Sequence, residues 1–232
     1  MQLQGTDSNV FETILARRSV RSYRDGTLDR KTVNSLLEAA VRAPTSEHSE
    51  PWAFVIVQDR TLLERLSDRA KPLIAEELRR AGPADRPAEK IPDPESSLFY
   101  DAGTLILICA RPLGPFATAD CWLAAENLML AASALGLGSC VIGAALPALN
   151  IPEVKAELGI RDDYLAVAPI IVGHPRGESA MSSRREPSIL AWLPGADAVQ
   201  APPAASPAEA RAPWQPHAHP VPEAAIKTPR RP

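Results

Sequence analysis

The chain has 232 residues, and its 25 Lys+Arg against 28 Asp+Glu give a net charge of −3. This balance disfavours a nucleic-acid-binding protein, because binding to phosphates needs surplus positive charge. Apolar residues make up 45% and charged residues 23%, which are values typical of a globular protein, whereas the 24 prolines are about twice the usual frequency of ~5%.

Hydrophobic periodicity predicts alternating helices and strands along the first 193 residues. The predicted helices are 9–16, about 30–42 with Asp29 as its N-cap, 61 to about 80 with an interruption near Pro72, 119–135 and 152–158. The predicted strands are 52–57, 104–110, 139–142 and 165–172. This pattern favours an α/β or α+β domain with a central sheet covered by helices.

The predicted helix 119–135 is apolar on nearly all sides, so we expect it to be central and buried. Asn127 is then a buried amide that needs hydrogen-bond partners. Gly136 and Gly138 follow the helix, and we interpret both as its C-terminal cap. Because they follow a helix and lead into a strand, they do not fit a dinucleotide-binding loop, in which the glycines follow a strand and open a helix.

Two segments are rich in proline. Residues 82–94 are predicted to form a loop or lid over a substrate site. Ten of the 24 prolines lie in residues 194–232, a segment with few branched aliphatic residues and no periodicity. Such a segment cannot bury enough apolar surface to offset its ordering entropy. We therefore predict one domain at 1–193 and a Pro/Ala-rich disordered tail at 194–232.

The remaining composition indicates a cytoplasmic protein. The N-terminus has no apolar segment typical of a secretory signal, and no apolar run approaches the ~20 residues that a membrane span needs. The three cysteines lack the spacing of a disulfide framework or a zinc site, and Cys109 and Cys140 lie in apolar runs, where a buried thiol is expected. We predict no bound metal, no nucleic-acid partner and no membrane association.

Two basic clusters flank the predicted domain. Residues 17–21, Arg-Arg-Ser-Val-Arg, place three guanidinium groups and a hydroxyl within five positions, and Arg184-Arg185 follow the last strand. Together they could bind one phosphate, since arginine supplies fixed, planar donors. The alternative for the first cluster is a solvated basic helix end that interacts favourably with the helix dipole.

The sequence shows no Ser-His-Asp, Cys-His or HExxH constellation, so chemistry would depend on a bound cofactor. Gly143 ends a predicted strand, where bare backbone can approach a flat ligand closely.

In this order, the motifs resemble the nitroreductase family of flavin-dependent oxidoreductases over roughly residues 11–187. The similar segments are Arg17 to Tyr23, Ala43 to Thr45 with Pro51-Trp52, Ala125 to Ala132, Gly136 to Ser139, and Gly173 to Pro175 with Arg184-Arg185. The resemblance implies an α+β sandwich around a mostly antiparallel sheet, with FMN bound at the interface of an intertwined homodimer.

The resemblance also implies roles for single residues. Arg17, Arg18, Ser19 and Arg21 would hold the phosphate and the pyrimidine edge of FMN, and Arg184 and Arg185 would complete the phosphate site. Ile142 and Gly143 would present backbone to the flavin ring. The residues expected to reach FMN from the other subunit are Pro44, Thr45, Ser46 and His48.

The implied function is an FMN-dependent oxidoreductase that uses NADPH or NADH to reduce a nitroaromatic, quinone or enone-like acceptor by ping-pong hydride transfer, with no catalytic side chain. Two positions depart from the family pattern, because His48 and Glu50 stand where Asn and Gln are usual. These changes keep open a flavin-binding storage or sensor module without significant turnover.

Overall fold

The computed structural model describes residues 9–80, 96–177 and 184–193. Contacts between Cα atoms divide the chain into two units, Met1–Ala180 and Met181–Pro232. In the first unit, helices flank a four-stranded antiparallel sheet, which confirms the α+β class. The predicted tail at 194–232 and the predicted lid at 82–94 lie outside the described residues.

The helices are α1 Val10–Ala16, α2 Arg30–Ala40, α3 Arg60–Arg80, α4 Ala117–Ala134, α5 Leu146–Leu149 and α6 Pro152–Glu157. The strands are β1 Trp52–Val57, β2 Thr104–Ala110, β3 Gly138–Val141 and β4 Leu165–Gly173. All four predicted strands are confirmed to within one residue at each end. Helix α5 and two short 3-10 turns, Ser46–His48 and Gly143–Ala145, were not predicted.

The strand order is β1-β2-β4-β3, and every neighbouring pair is antiparallel. Strand β2 is buried on both faces: Leu105 and Leu107 pack with α3 and α5, whereas Ile106 and Ile108 pack with α2 and α4. A strand covered by helices on both sides needs apolar residues at every position. This explains why residues 104–110 form a continuous apolar run.

Helix α3 continues through Pro72, so the predicted interruption is wrong. Proline lacks the N–H that would bond to the carbonyl of Asp68. Both residues are exposed, so water can satisfy that carbonyl. On the other side of the helix, buried Leu66 and Ala70 pack into the core and keep the two halves in line.

Residues 19–23, called the docked segment below, precede α2 and lie against the start of β3. The Val20 N–H donates to the Ser139 carbonyl at 3.0 Å, and Ser19 forms a parallel bridge with Ser139. The Tyr23 hydroxyl donates to the Val20 carbonyl at 2.7 Å. Val20 and Tyr23 are both buried, so this segment belongs to the core as well as to the sheet edge.

The two glycines after α4 have different roles. Gly136 has φ +70°, its N–H bonds to Ser133, and the Leu137 N–H bonds to Ala132, which is the expected helix C-cap. The cap interpretation of Gly138 is wrong, because Gly138 is the first residue of β3. A Cβ there would lie 2.8 Å from the side chain of Val20. Glycine at 138 therefore allows the close approach of the docked segment.

Strand β3 ends at Val141 because of its neighbour β4. The Ile142 N–H donates to the Pro169 carbonyl at 2.8 Å, but Pro169 has no N–H to donate in return. The ladder cannot continue, and the chain turns into Gly143–Ala145 instead.

Helix α4 is central, as predicted, but it is buried on one side. Leu128 is fully buried, and the Asn127 amide donates to the Ala39 carbonyl of α2 at 3.3 Å, which confirms the need for a partner. Trp122 and Leu123 point away from this core and are exposed in the single chain.

Cys109 and Cys140 are buried, which confirms the prediction, and Cys121 is buried as well. Within the described ranges, we find no helix with the length and apolar character that crossing a bilayer requires.

We predict that Gly138→Ala lowers the free energy of unfolding by about 1–3 kcal/mol, because the added methyl group overpacks against Val20. Chemical denaturation measures this change. Gly143→Ala is the matched control, since a Cβ at 143 meets no atom within 4 Å and the free energy should stay nearly constant. Equal stability of the two variants would contradict the proposed role of Gly138.

We predict that Cys109 and Cys121 resist labelling in the folded protein at pH 8. Burial raises the pKa of Cys109 to about 11 and that of Cys121 to about 12, so little reactive thiolate exists. Because the unfolded thiols lose protons near pH 9, these groups should lower stability as the pH rises from about 9 towards 12. Labelling with a chromogenic disulfide, with and without denaturant, tests this. Labelling faster than unfolding would contradict it.

Candidate functional site

A cleft of about 280 Å³ lies where the docked segment meets β3. The cleft is lined by Ala16, Arg17, Arg18, Val20, Ser133, Leu137, Gly138, Ser139, Pro175 and Gly177. Two of the predicted phosphate ligands, Arg17 and Arg18, thus share one concave surface with backbone from the start of β3. This is the arrangement that a basic cluster needs in order to act on one anion.

The two arginines of the cleft have weak or exchangeable partners. The Arg17 Nε lies 3.5 Å from Oε1 of Glu126 on α4, and both side chains keep contact with solvent. An ion pair of this kind contributes little to stability. The Arg18 guanidinium donates to the carbonyls of Leu15 and Arg17 at the end of α1. Arg18 therefore also fits the alternative interpretation, a cation at a helix C-terminus.

Ser19 and Arg21 are exposed beside the cleft without lining it. Ser19 is placed by its bridge to Ser139. The guanidinium carbon of Arg21 lies 5.9 Å from the ring centroid of Tyr100, a cation–π contact that holds the side chain at the surface.

Ile142 and Gly143 lie at the other end of β3. Ile142 is buried, and its N–H is fixed by the Pro169 carbonyl. Gly143 is exposed, and the space where its side chain would be is open. At about 3.3 Å per residue, Gly143 is roughly 13 Å from Ser139 along the chain. A ligand that contacts the cleft and Gly143 must therefore be elongated.

The predicted loop ligands Pro44, Thr45, Ser46 and His48 lie between α2 and β1. Glu47, His48 and Glu50 in this loop have φ of +54°, +53° and +42°. Asn and His are several-fold enriched in this left-handed region relative to other residues with side chains. His48 in place of the usual Asn thus preserves the backbone conformation. The imidazole and the Glu50 carboxylate are exposed and available to a ligand.

The loop is attached to the first turn of α4 by a carboxylate that the sequence analysis missed. Asp120 is 4% exposed, and its two oxygens accept from the Ser46 N–H at 3.4 and 3.2 Å. A signal for this residue was available, because Asp120 stands near the start of an otherwise apolar helix. A carboxylate in such a position needs hydrogen-bond donors from another part of the chain.

Helix α4 separates this loop from the cleft. Asp120 lies near the start of the helix, whereas Ser133, which lines the cleft, lies near its end. At a rise of about 1.5 Å per residue, the two positions are about 20 Å apart. The structure therefore brings Arg17, Arg18 and the β3 backbone together and does not bring the Ser46–His48 turn to them within one chain.

Arg184 and Arg185 belong to the second unit. Within that unit, residues 184–193 are exposed and contain no helix or strand. The predicted role of this pair in the phosphate site stays a prediction.

Tyr23, which bonds to the cleft residue Val20, serves as a hydrogen-bond donor. Burial, with a further contribution from Cys140, raises the pKa of Tyr23 well above its usual range, so its hydroxyl stays protonated and serves as a donor to Val20. Among residues 9–80, 96–177 and 184–193, no three His, Cys, Asp or Glu side chains are grouped so that they could hold a metal ion. The site is suited to binding an elongated anionic ligand, with guanidinium groups at one end and bare backbone at the other.

Three comparisons with known proteins show which family this chain resembles. A protein of Archaeoglobus fulgidus, provisionally named NADH dehydrogenase/NAD(P)H nitroreductase, is 28% identical over 173 residues, which are 72% of this chain and 86% of that protein. FMN reductase (NADPH) of Bacillus subtilis is 28% identical over 189 residues, covering 76% of this chain and 70% of the relative.

Solved structures share the fold. The crystal structure of a nitroreductase with bound FMN from Bacteroides fragilis is 28% identical and superposes with a TM-score of 0.66 over 80% of this chain and 98% of its own. An FMN-dependent nitroreductase from Clostridium difficile is 26% identical, with a TM-score of 0.62 over 81% of this chain and all of its own.

The sequence model of the nitroreductase family matches residues 14–174, which include the docked segment, the cleft arginines and the whole sheet. Because this match spans most of the chain, the chain belongs to the nitroreductase family.

Proposed function

We propose that this protein is an FMN-dependent oxidoreductase that takes electrons from NADPH or NADH and reduces a small nitroaromatic, quinone or enone-like acceptor. The observation that carries the proposal is the cleft in which Arg17 and Arg18 meet the backbone of β3, in a chain of the nitroreductase family. A relative named FMN reductase (NADPH) and a related structure with bound FMN support the choice of cofactor and donor.

The residues of the cleft fit an FMN phosphate. A phosphate dianion is stabilised by guanidinium groups through charge-assisted hydrogen bonds. Arg17 can exchange its half-exposed partner Glu126 for this dianion at little cost, because the existing pair is long and solvated. We expect Ser19 to add a hydroxyl donor, and the assignment of Arg184 and Arg185 to the phosphate site stays a prediction.

The far end of β3 fits a planar ring. Gly143 has no side chain and borders open space, so a flat group can lie against its backbone. Ile142 is fixed beneath this position by its bond to Pro169. We assign Arg21, which lies at the surface beside Tyr100, to the pyrimidine edge of the ring.

When bound, FMN supplies a ring that accepts a hydride from the nicotinamide and passes electrons to the acceptor. The protein would contribute binding and orientation: guanidinium groups would hold the phosphate, and the backbone at Ile142 and Gly143, just after β3, would support the ring. No side chain is required as nucleophile or proton donor, in keeping with cofactor-based chemistry. Donor and acceptor would then use the same open face in turn.

We propose that the active form is a homodimer. Helices α1 and α4 leave large apolar side chains exposed in the single chain, namely Val10, Phe11, Ile14, Leu15, Trp122 and Leu123. Large apolar side chains exposed on two helices that contact each other favour an interaction surface. The distance of about 20 Å along α4 between the Ser46–His48 turn and the cleft supports the same assembly, since this turn could then approach the flavin of the partner subunit.

A second candidate function rests on His48 and Glu50, which replace the usual Asn and Gln. Glu50 places a carboxylate in the loop that would border the flavin, where negative charge disfavours an anionic reduced ring. The protein would then bind flavin as a storage or sensor module without significant turnover.

Reduction of the bound flavin separates the two functions. Purified protein is mixed with FMN, passed through a desalting column and titrated anaerobically with NADPH and with NADH. We expect retained flavin absorption that either nucleotide bleaches and that an added quinone restores. Retained flavin that neither nucleotide bleaches would favour the storage or sensor module, and loss of all flavin on desalting would contradict both functions.

We predict that replacing Arg17 and Arg21 together with Ala weakens FMN binding by at least about 100-fold, because two charged hydrogen bonds are lost. Quenching of flavin fluorescence measures the affinity, and circular dichroism verifies folding. In the control, Arg60 and Arg161 are both replaced with Ala. Their ion-pair partners are Glu64 and Asp163, and none of these four residues lines the cleft. Wild-type affinity in the Arg17/Arg21 variant would contradict the phosphate and pyrimidine assignments.

We predict that Leu123→Glu converts the dimer into a monomer, because the new carboxylate would be buried at the interface of α4. Size-exclusion chromatography with light scattering gives the mass. Leu73→Glu is the control, since Leu73 is also an exposed helical leucine but lies on α3, on the other side of the sheet. A wild-type protein of monomeric mass that still retains FMN would exclude the proposed dimeric site.

A further inference from the structure

Asp120 is a buried carboxylate whose hydrogen bonds lead to a single loop. It is 4% exposed and lies in the first turn of α4, where the helix dipole favours a negative charge. Its oxygens accept from the Ser46 N–H at 3.2 and 3.4 Å and from the Ser49 hydroxyl at 3.5 Å. A buried charge without such donors would be strongly destabilising. The loop and the carboxylate therefore stabilise each other.

The loop needs such support because its backbone is strained. Glu47, His48 and Glu50 all adopt left-handed φ values, which cost about 1–3 kcal/mol each for residues with side chains. Two internal bonds close the turn: the Ser49 N–H donates to the Ser46 carbonyl at 3.0 Å, and the Glu50 N–H donates to Thr45 Oγ1 at 3.5 Å. These bonds fix the shape of the turn, whereas Asp120 fixes its place on the domain.

We infer that Asp120 is a positioning residue that sets the turn Ser46–His48 in the geometry with which it meets the flavin of the partner subunit. It acts through the backbone N–H of Ser46 and does not itself touch the cofactor. This inference rests on the proposed function, because the flavin gives the ordered turn its purpose. The attachment of the turn to α4, by contrast, can be measured in the protein without any ligand.

The chain offers a graded set of variants. Asp120→Ala removes every acceptor. Asp120→Asn keeps a carbonyl oxygen for the Ser46 N–H but removes the charge, and Ser49→Ala removes the weaker contact alone. Asp163→Asn is the matched control, because it makes the same chemical change at an exposed carboxylate paired with Arg161.

The first measurement is amide hydrogen exchange of the full-length protein, followed by mass spectrometry on peptides that cover 44–51 and 104–110. In Asp120→Ala we expect faster exchange in the loop peptide and unchanged protection in β2, with Asp120→Asn and Ser49→Ala between this variant and the wild type. Asp163→Asn should match the wild type. Unchanged exchange in the loop peptide of Asp120→Ala would overturn the inference. An equal loss of protection in the loop peptide and the β2 peptide of every variant would overturn it as well.

The second measurement is FMN binding, followed by fluorescence quenching and by the visible circular dichroism of the bound flavin. We expect Asp120→Ala to weaken binding about tenfold, because binding must then also order the released turn, and to alter the dichroism of the remaining bound flavin. Asp120→Asn should recover part of the affinity. A folded Asp120→Ala variant with wild-type affinity and dichroism would overturn the positioning role.

The two measurements separate this inference from the proposed function. If the wild-type protein binds no FMN, the proposed function is wrong, and the positioning role at the flavin fails with it even if exchange shows that Asp120 orders the turn. If Asp120→Ala does not fold, the variants Asp120→Asn and Ser49→Ala decide. Faster loop exchange and weaker FMN binding in either variant, with β2 still protected, would support the inference. Wild-type exchange and wild-type FMN binding in both variants would overturn it.

Discussion

The close approach of Val20 to Gly138 is the constraint on which the rest of the site depends. The two residues meet where a Cβ on the glycine would lie 2.8 Å from the valine side chain. Because the backbone can come this near, Ser19 and Val20 pair with Ser139 and extend the sheet by a short fifth segment. That pairing places the two preceding arginines at the mouth of the cleft. The placement of the proposed phosphate ligands is thus a consequence of a packing contact.

In the single chain, two helices leave apolar side chains exposed to solvent. Helix α1 carries its apolar residues on the outside, and α4 exposes Trp122 and Leu123 while its other side forms the core with Leu128. Together with the separation between the turn Ser46–His48 and the cleft, these faces give the proposed dimer two functions. It would cover apolar surface and complete the flavin site in one step, so folding, assembly and cofactor binding would be linked through mass action.

Sequence patterns predicted the structural features that are set by residues close together in the chain. The apolar run within 104–110 predicted strand β2, Asp29 marked the start of α2, and Gly136 marked the end of α4. The cleft arginines were found because two guanidinium groups adjoin in the chain. The family resemblance predicted the cofactor FMN and is the basis for proposing a dimer.

What the sequence could not supply depends on contacts between distant residues. Gly138 looked like a second helix cap, since the clash that requires a glycine comes from Val20. The left-handed backbone at Glu47, His48 and Glu50 has no glycine to signal it. Asp120 acquires its role from a loop in another part of the chain. The end of β3 is set by Pro169, a residue of the neighbouring strand.

The attachment of the loop has a consequence for how a protein of this kind can diversify. Asp120 holds the loop by the main chain of Ser46, so the side chains at 47, 48 and 50 take no part in that bond. Substitutions at these three positions by residues that tolerate a left-handed φ can therefore alter the polarity and charge presented to a ligand while the loop keeps its place. The side chains that a ligand would meet can thus change without loss of the bond between Asp120 and Ser46. This makes the loop a suitable place for ligand specificity to diverge.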